Sequence, residues 1–288
     1  MAFLELDKQL HFELYRFQIL PITTLNLFYG RNSQFNNVKD LIDNKNKILK
    51  DVLVSDELTF QGRKSKVIHK LETTNEGLVL MKLGTEKDIE IGTIELTNEE
   101  IESYPYCIVL INLDDQEQMI YVQRNFKAFT TTQVVAHIIE RSLNTFLRQD
   151  GLVLYIEPVF DSHKFWQLIQ QYHGLITRLR FEFIKPNMAN ISGQLNEDIK
   201  QFQRDTNGHK GKIEVEAPES GVLEVSPSNQ TLQGLVEYSS LGGGQAAIKI
   251  KGLKREIKTS KSIRKIEIQE IEINSTKELK KLLKSLEP

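Results

Sequence analysis

The sequence predicts an α+β fold, in which a mixed, largely antiparallel, open-faced sheet carries helices on one side. The first observation is the strict alternation of apolar and charged residues along ITRLRFEFIK, which is typical of a strand with one buried and one wet face. The second is a series of strand-like segments that short polar turns join in pairs. The third is a set of amphipathic helical segments that end at glycine. A doubly wound parallel sheet would instead give continuous apolar runs.

Two regions are expected along the 288 residues: a smaller amino-terminal mixed α/β region, residues 1–105, and a carboxy-terminal α+β domain, residues 106–288. The first region opens with QLHFELYRFQI, whose aromatic and branched residues before Pro21 favour a strand. Residues 34–53 place apolar side chains at helical spacing. SKVIHKLET and GLVLMKL flank TTNEG and predict a hairpin, whereas residues 98–105 are expected to form a connector.

The second region begins with YCIVLINL and QMIYVQR, two predicted strands around an acidic turn at residues 114–117. TTTQVVAHIIERSLNTFLRQDG then predicts a helix that has a threonine as its N-cap and ends at Gly151. LVLYIEPV is a predicted strand that ends at Pro158. DSHKFWQLIQQYHG follows as a helix capped by Asp161 or Ser162, and ITRLRFEFIK is the next strand.

The remaining segments continue this pattern. QLNEDIKQFQRDTNG predicts a helix, KGKIEVEA a strand, and SNQTLQGLVEYSSLGGG a helix that stops at glycine. QAAIKIKG and SIRKIEIQEIEI are two further strands, with a β-bulge expected at Gln269-Glu270. STKELKKLLKSLEP predicts a basic terminal helix.

Composition restricts the class of protein. A hydrophobic content of 40% and a charged content of 26% are ordinary for a globular domain. The single cysteine, Cys107, cannot form an internal disulfide and suits a reducing compartment. The first residues lack the pattern of a secretory signal, and the longest apolar run, CIVLI, is far shorter than a membrane span. We therefore expect a cytoplasmic protein with no membrane insertion.

No motif in the sequence predicts a catalytic residue, a metal ligand or a cofactor. The six histidines have no recognisable metal-binding spacing. The glycines at residues 242–244 follow a predicted helix and precede a predicted strand, which is the reverse of a phosphate-binding glycine loop. They are expected to stop the helix. Cys107 lies in an apolar strand and is expected to be buried rather than nucleophilic.

A metal-dependent nuclease is one alternative hypothesis. Asp114 and Asp115 cluster at a predicted turn, while Glu157 and Asp161 bracket the end of a predicted strand. A two-metal nuclease needs several acids that converge on a cleft. Turn chemistry and helix capping also explain these residues, so the alternative stays open.

The strongest functional signal is AAIKIKGLKREIKTSKSIRK, residues 246–265, which we call the basic segment. It carries a net charge of +7, while the rest of the chain carries −9. Its cations are Lys249, Lys251, Lys254, Arg255, Lys258, Lys261, Arg264 and Lys265. We expect a β-hairpin in which residues 254–261 form the connection, and Arg264 and Lys265 lie on the return strand. Arg178 and Arg180, on the wet face of the alternating strand, would extend the surface.

The basic segment predicts a protein that binds nucleic acid without sequence specificity, with DNA favoured over RNA, and that forms a homo-oligomer. One alternative is structural, because lysines on exposed strands prevent edge-to-edge association. In that case Glu267, Glu270 and Glu272 are placed to pair with Lys249 and Lys251 across the hairpin. Another alternative is a protein–protein interaction module whose basic edge meets an acidic partner.

Three segments carry a resemblance to a known family. YVQRNFKAFTTTQVVAHII, LVLYIEPVFDSHKFWQLI and ITRLRFEFIKPN resemble, in order and spacing, segments of RexA-like phage-exclusion proteins and of uncharacterised bacterial phage-defence proteins. The resemblance covers residues 106–251, roughly half of the chain, and is one of element order. It implies a nucleic-acid-binding sensor, able to dimerise, that works with a separate effector protein in anti-phage defence. It carries over no catalytic residue.

Overall fold

A computed structural model describes residues 9–22, 37–62, 65–75, 77–186, 193–269 and 279 of the chain. Across these residues helices and antiparallel sheets occur together, which confirms the α+β fold. The strands, in chain order, are β1 (Gln9–Pro21), β2 (Val67–Asn75), β3 (Leu78–Thr85), β4 (Lys87–Gly92), β5 (Asn98–Ser103), β6 (Tyr106–Asn112), β7 (Met119–Gln123), β8 (Leu152–Pro158), β9 (Ile176–Ile184), β10 (Lys210–Glu216), β11 (Gly244–Ile250), β12 (Ile257–Lys258) and β13 (Lys265–Gln269). The helices are α1 (Val38–Asp43), α2 (Lys45–Leu53), α3 (Thr132–Leu147), α4 (Ser162–Gln171), α5 (Glu197–Asp205) and α6 (Gln230–Tyr238).

The larger sheet has the order β13-β1-β7-β6-β3-β2, and β8 also pairs with β1. At 13 residues, β1 is long enough to pair with β13 through its first half and with β8 through its second half. Successive side chains of a strand point to opposite faces, so β1 contributes to two apolar cores. Tyr15, Phe17 and Ile19 pack with α1, α2 and α3 on one face, whereas Phe12 and Leu14 belong to the cluster on the other face.

The division expected between residues 105 and 106 does not separate two folding units. β3 and β6 lie on either side of it and are hydrogen-bonded neighbours in the larger sheet, with Val79 opposite Ile111 and Leu83 opposite Cys107. The predicted boundary is therefore corrected by the pairing of these strands. Cys107 is buried, as expected, and burial raises the pKa of its thiol to about 12.

The smaller sheet has the order β10-β9-β11-β12 and is antiparallel throughout its described strands. Along β9, Leu179, Phe181 and Phe183 are buried in a core that includes α4 and α6. Arg178 and Arg180 alternate with them and lie on the opposite, open face. The alternating sequence pattern therefore predicted both this strand and its wet face correctly.

Side chains cap the predicted helices where the sequence places them. Oγ1 of Thr131 accepts a hydrogen bond from the amide of Val134 at the start of α3. Oδ1 of Asp161 accepts one from the amide of His163 at the start of α4. Each bond satisfies a first-turn amide that has no partner within the helix. The short 3-10 turn after α3 ends at Gly151, as expected, in the left-handed conformation with a φ of 76°.

The glycines at residues 242–244 allow two close contacts, one between the turn after α6 and β1 and one between β11 and β9. They follow α6 in a wider, π-type turn (Ser239–Gly243), so the expected helix stop is confirmed. Gly242 has a φ of 85°, and a β-carbon there would lie 2.4 Å from the β-carbon of Arg16 on β1. A β-carbon on Gly244 would lie 2.1 Å from the carbonyl oxygen of Glu182 on β9. A larger residue at Gly242 would push this turn away from β1, and one at Gly244 would push β11 away from β9 within the smaller sheet.

The connector expected at residues 98–105 contains a strand instead. β5 pairs with β4 in a two-stranded hairpin that lies outside both larger sheets. We call this hairpin, with its base at Glu86, the arm (residues 86–103). The residues of both of its strands are almost all exposed, with only Ser103 less so.

Two expectations fall at or beyond the edge of the described residues. Of the predicted terminal helix, residues 275–288, only Leu279 is described, and it is fully buried in the second apolar cluster of the larger sheet. The bulge expected at Gln269-Glu270 lies where the described part of β13 ends.

Candidate functional site

The basic segment begins in the smaller sheet. Lys249 lies on β11, residues 251–256 form a turn, and β12 returns beside β11 with Lys258 opposite Ala247. The first strand and the turn of the expected hairpin are therefore present. The return strand is only two residues long.

The basic segment ends in the larger sheet, which corrects the expected position of Arg264 and Lys265. After a short 3-10 turn the chain enters β13, where Lys265 lies opposite Glu13 of β1. Ile266 and Ile268 of the same strand are buried in the core of the larger sheet. Burial of these two side chains against β1 explains why the strand does not continue beside β11.

Glu256, the one acid in the sequence of the basic segment, contacts the smaller sheet. Its two carboxylate oxygens accept hydrogen bonds from Nη2 of Arg178 and from Nη2 of Arg180, each at 2.7 Å. The Glu256 side chain is only 16% exposed, and those of Arg178 and Arg180 are 28% and 21% exposed. Hydrogen bonding to Glu256 raises the pKa of Arg178. Charge-assisted contacts of this kind are stronger than neutral hydrogen bonds.

Arg178 and Arg180 therefore belong to an ion-pair network on the open face of the smaller sheet. Besides Glu256, Glu214 lies 3.7 Å from Arg178 and Glu182 lies 3.4 Å from Arg180. The prediction that these two arginines extend the basic surface is corrected by these contacts. Acids on the same strand and on the neighbouring strand β10 already neutralise them.

Lys249 stabilises the turn of the basic segment. Its Nζ donates hydrogen bonds to the carbonyl oxygens of Leu253, at 2.5 Å, and of Lys254, at 2.9 Å. The ammonium group is therefore held at the base of the turn, where it fixes the backbone that carries the next cations.

Six cations of the basic segment are exposed: Lys251, Lys254, Arg255, Lys258, Lys261 and Lys265. Within the described ranges, none of the six forms an ion pair with a carboxylate, whereas Glu256 is occupied by the two arginines of β9. Arg264 is partly buried and contributes less surface. Among the described residues, the segment therefore presents exposed positive charge that no carboxylate neutralises.

The structural alternative, in which acids pair across the hairpin, is wrong for Glu267. This residue lies on β13 in the larger sheet rather than opposite Lys249 on β11. Its carboxylate contacts Nδ1 of His11 at 3.2 Å and Nε2 of Gln9 at 2.5 Å. The other two acids named for that role lie outside the described residues.

The acids considered for a nuclease site occupy separate elements. Asp114 lies in the turn between β6 and β7 and accepts a hydrogen bond from the amide of Gln116, and Asp115 accepts one from Nδ2 of Asn46. Asp161 caps α4. Among the residues that the structure describes, no group of three or more His, Cys, Asp or Glu side chains is placed to hold a metal ion.

Glu157 lies beside a cavity of about 270 Å³ between the two sheets, which Glu182, Lys210 and Gln245 also line. Burial raises the pKa of Glu157 to about 7; Lys210 opposes the shift, and Glu140 and Glu182 add to it. A carboxyl group with such a pKa exchanges its proton near neutral pH. The sequence identified Glu157 but not Glu182 or Lys210, because their approach depends on the packing of one sheet on the other.

Comparison with known proteins adds no assignment. No protein-family model, no curated protein and no solved structure matches this chain. In the part of the chain that is described, no helix is long and apolar enough to cross a membrane. Function is therefore inferred from the geometry and the charge of the surfaces themselves.

Proposed function

We propose that this protein binds nucleic acid, without sequence specificity, through the exposed cations of the basic segment. The observation that most supports this proposal is the contact of Glu256 with Arg178 and Arg180. Because Glu256 binds these two arginines, it does not neutralise the six exposed cations of the segment. These cations lie along the turn and along the chain that leads to the larger sheet. Lysine and arginine contacts to phosphates give an affinity that does not depend on the base sequence.

The ligand is proposed to be DNA rather than RNA. The exposed cations are spread from Lys251 to Lys265, which suits a regular row of backbone phosphates better than one small anion. The basic segment contains no aromatic residue on which an unpaired base could stack. Stacking on aromatic side chains is the usual basis for recognition of single-stranded RNA.

The resemblance to RexA-like proteins supports a role for this binding in anti-phage defence. In that role the protein would act as a sensor, as a homo-oligomer, and would signal to a separate effector protein. Contacts with the phosphate backbone suit such a sensor, because they would detect DNA of any sequence.

Fluorescence anisotropy with labelled duplex DNA, single-stranded DNA and RNA tests the proposal. Six phosphate contacts predict a slope of about −5 for the logarithm of the affinity against the logarithm of the salt concentration. An increase from about 50 to 200 mM salt should therefore weaken binding by about 10³-fold. We expect duplex DNA to bind more tightly than RNA.

A pair of variants identifies the surface. The segment variant reverses four of the exposed cations: Lys254→Glu, Arg255→Glu, Lys258→Glu and Lys261→Glu. The surface-lysine control makes the same change in net charge at four exposed lysines elsewhere: Lys39→Glu, Lys47→Glu, Lys127→Glu and Lys164→Glu. We expect the segment variant to lose binding and the control to retain most of it. Binding that survives in the segment variant, or that both variants lose equally, would contradict the proposal.

A further inference from the structure

The arm is strongly acidic. Residues 86–103 contain seven acidic side chains and one basic side chain, Lys87, which gives a net charge of −6. The ammonium of Lys87 donates a hydrogen bond to the carbonyl oxygen of Lys127 at the base of the arm. The single cation of the arm therefore lies at the start of β4, and its ammonium contacts a carbonyl outside the arm.

The acids of the arm face one another across its two strands. In the register of β4 and β5, Asp88 lies opposite Glu102 and Glu90 lies opposite Glu100, so all four carboxylates share one face. Like charges directly opposite each other destabilise a strand pair. One neutral donor partly offsets this repulsion, because Nδ2 of Asn98 donates a hydrogen bond to the carboxylate of Glu90 at 3.2 Å. This face would gain stability from a cationic partner.

The other side and the tip of the arm carry exposed apolar residues. Ile89 and Ile101 lie opposite each other on the face without the acid pairs, and both are exposed. At the tip, Ile94 is 100% exposed and Leu96 is 96% exposed. Leu96 also has a φ of 61°, a conformation that is costly for a leucine and that glycine adopts at no cost. A strained, almost fully exposed leucine at the tip of an isolated hairpin offers an apolar surface for contact with a partner.

We propose that the arm docks on the basic segment of a second copy of this chain. The charges of the two surfaces, −6 on the arm and +7 on the basic segment, are opposite and nearly equal. The basic segment also offers apolar contact for the tip of the arm, because Leu253 in its turn is exposed close to the exposed Leu175. The amide of Lys251 donates to the carbonyl oxygen of Leu175 at 2.8 Å, which holds these two segments together.

The contact is between copies because, in the described part of the chain, no acid of the arm forms an ion pair or hydrogen bond with the basic segment. In a two-fold dimer each copy would give one arm and receive one. The inference uses the same basic segment as the proposed function but does not require that nucleic acid binds there. If both proposals are correct, the arm of one copy competes with nucleic acid for the cations of the second copy.

Light scattering coupled to size-exclusion chromatography of the full chain tests the inference. We expect the wild type to move from 33.2 kDa at high salt towards twice that mass at low salt. The arm variant neutralises the four facing acids: Asp88→Asn, Glu90→Gln, Glu100→Gln and Glu102→Gln. It should remain folded, since it relieves like-charge pairs, and it should self-associate at least about tenfold more weakly. The segment variant should be equally impaired.

A mixture of the two variants provides the decisive comparison. The arm variant retains the basic segment, and the segment variant retains the arm. In the mixture, the arm of the segment variant can therefore dock on the basic segment of the arm variant. We expect the mixture to associate although neither variant does so alone. A control that neutralises four exposed acids elsewhere (Asp51→Asn, Asp56→Asn, Glu219→Gln and Glu224→Gln) should associate like the wild type. A wild type that keeps the mass of one chain at low salt, an arm variant that associates normally, or a mixture that stays dissociated would overturn the inference.

DNA binding gives a separate readout. If the arm variant associates weakly but binds DNA at least as well as the wild type, both proposals are supported. If self-association behaves as expected while no protein binds DNA, the proposed function fails and the docking of the arm stands.

Discussion

Nη2 of Arg178 donates a 2.7 Å hydrogen bond to Oε1 of Glu256, and this contact turns the acid of the basic segment towards the smaller sheet. The basic segment runs past the open face of that sheet. The carboxylate of Glu256 therefore has two effects. It neutralises arginines that would otherwise repel Lys249 on the adjacent strand, since Lys249 lies opposite Arg178. It also leaves the outer side of the turn positively charged.

The change Glu256→Gln should lower stability and strengthen polyanion binding at the same time. Arg178 and Arg180 would each lose their shortest carboxylate contact while remaining partly buried, so we expect a lower midpoint of urea unfolding. Removing one negative charge from the segment should tighten DNA binding and make it more salt-dependent. Urea unfolding and anisotropy measure the two effects.

An exposed acid supplies the control for this prediction. Glu219→Gln removes the same charge from a residue that is exposed and distant in sequence from the basic segment, and should change neither quantity by much. If Glu256→Gln weakened DNA binding without unfolding the protein, the role assigned to Glu256 would be wrong.

The local features of the fold could be predicted because they depend on neighbouring residues. Alternation along residues 176–185 fixed the buried face of β9, and Thr131 and Asp161 capped the helices that follow them. Each of these features is set by side chains within a few positions of one another.

Pairings between distant segments could not be predicted in the same way. Strand β13 alternates Lys265 and Glu267 with isoleucines, and this pattern fits an edge position beside either β11 or β1. The choice of β1 depends on packing across more than 250 residues of sequence. The division at residue 105 failed for a related reason, because hydrogen bonds between β3 and β6 cross it.

The arm was missed although the sequence contains a signal for it. In KDIEIG, Ile89 and Ile91 alternate with Asp88 and Glu90, which is the period of a strand. Glutamate and asparagine are uncommon in strands, and those of residues 98–103 favoured a connector. The hairpin forms despite this low propensity and despite its facing acids.

Glu157→Gln should stabilise the protein in a pH-dependent way. Burial raises the pKa of Glu157 from its ordinary value of 4.5 to about 7, so the folded state binds more protons than the unfolded state between these values. Stability of the wild type therefore falls as the pH rises through this window, and the penalty is complete above about pH 7. Glutamine carries no charge, so the variant should gain up to about 3 kcal/mol over the wild type above pH 7 and little below pH 4.5.

Thermal unfolding of wild type and Glu157→Gln between pH 4 and pH 8 measures this difference. Glu224→Gln, at an exposed position, reports the effect of losing one carboxylate in general. A melting-temperature difference that did not grow with pH would show that Glu157 is not the group responsible.

Gly242→Ala should destabilise the contact between the turn after α6 and β1. Its β-carbon would lie 2.4 Å from that of Arg16, and its φ of 85° is strained for alanine, so we expect a loss of about 3 kcal/mol or more. Gly174→Ala provides the matched control, since Gly174 has a φ of 72° and no atom within 4 Å of the added carbon. It should cost only about 1 kcal/mol. Equal midpoints of urea unfolding for the two variants would contradict the close approach described for Gly242.

Leu96→Gly should stabilise the arm and weaken self-association. Leu96 closes the turn in a left-handed conformation, where its amide donates to the carbonyl oxygen of Thr93 at 3.0 Å. Glycine adopts this conformation without strain, so the hairpin should gain about 1 kcal/mol, seen as slower amide exchange at Thr93 and Thr97.

Leu96→Ala keeps most of the strain but removes the same apolar contact. If the arm docks through its tip, both variants should associate less than the wild type, although only Leu96→Gly has a more stable hairpin. If association instead followed hairpin stability, and Leu96→Gly associated more strongly, the arm would act through its backbone order and not through the leucine side chain.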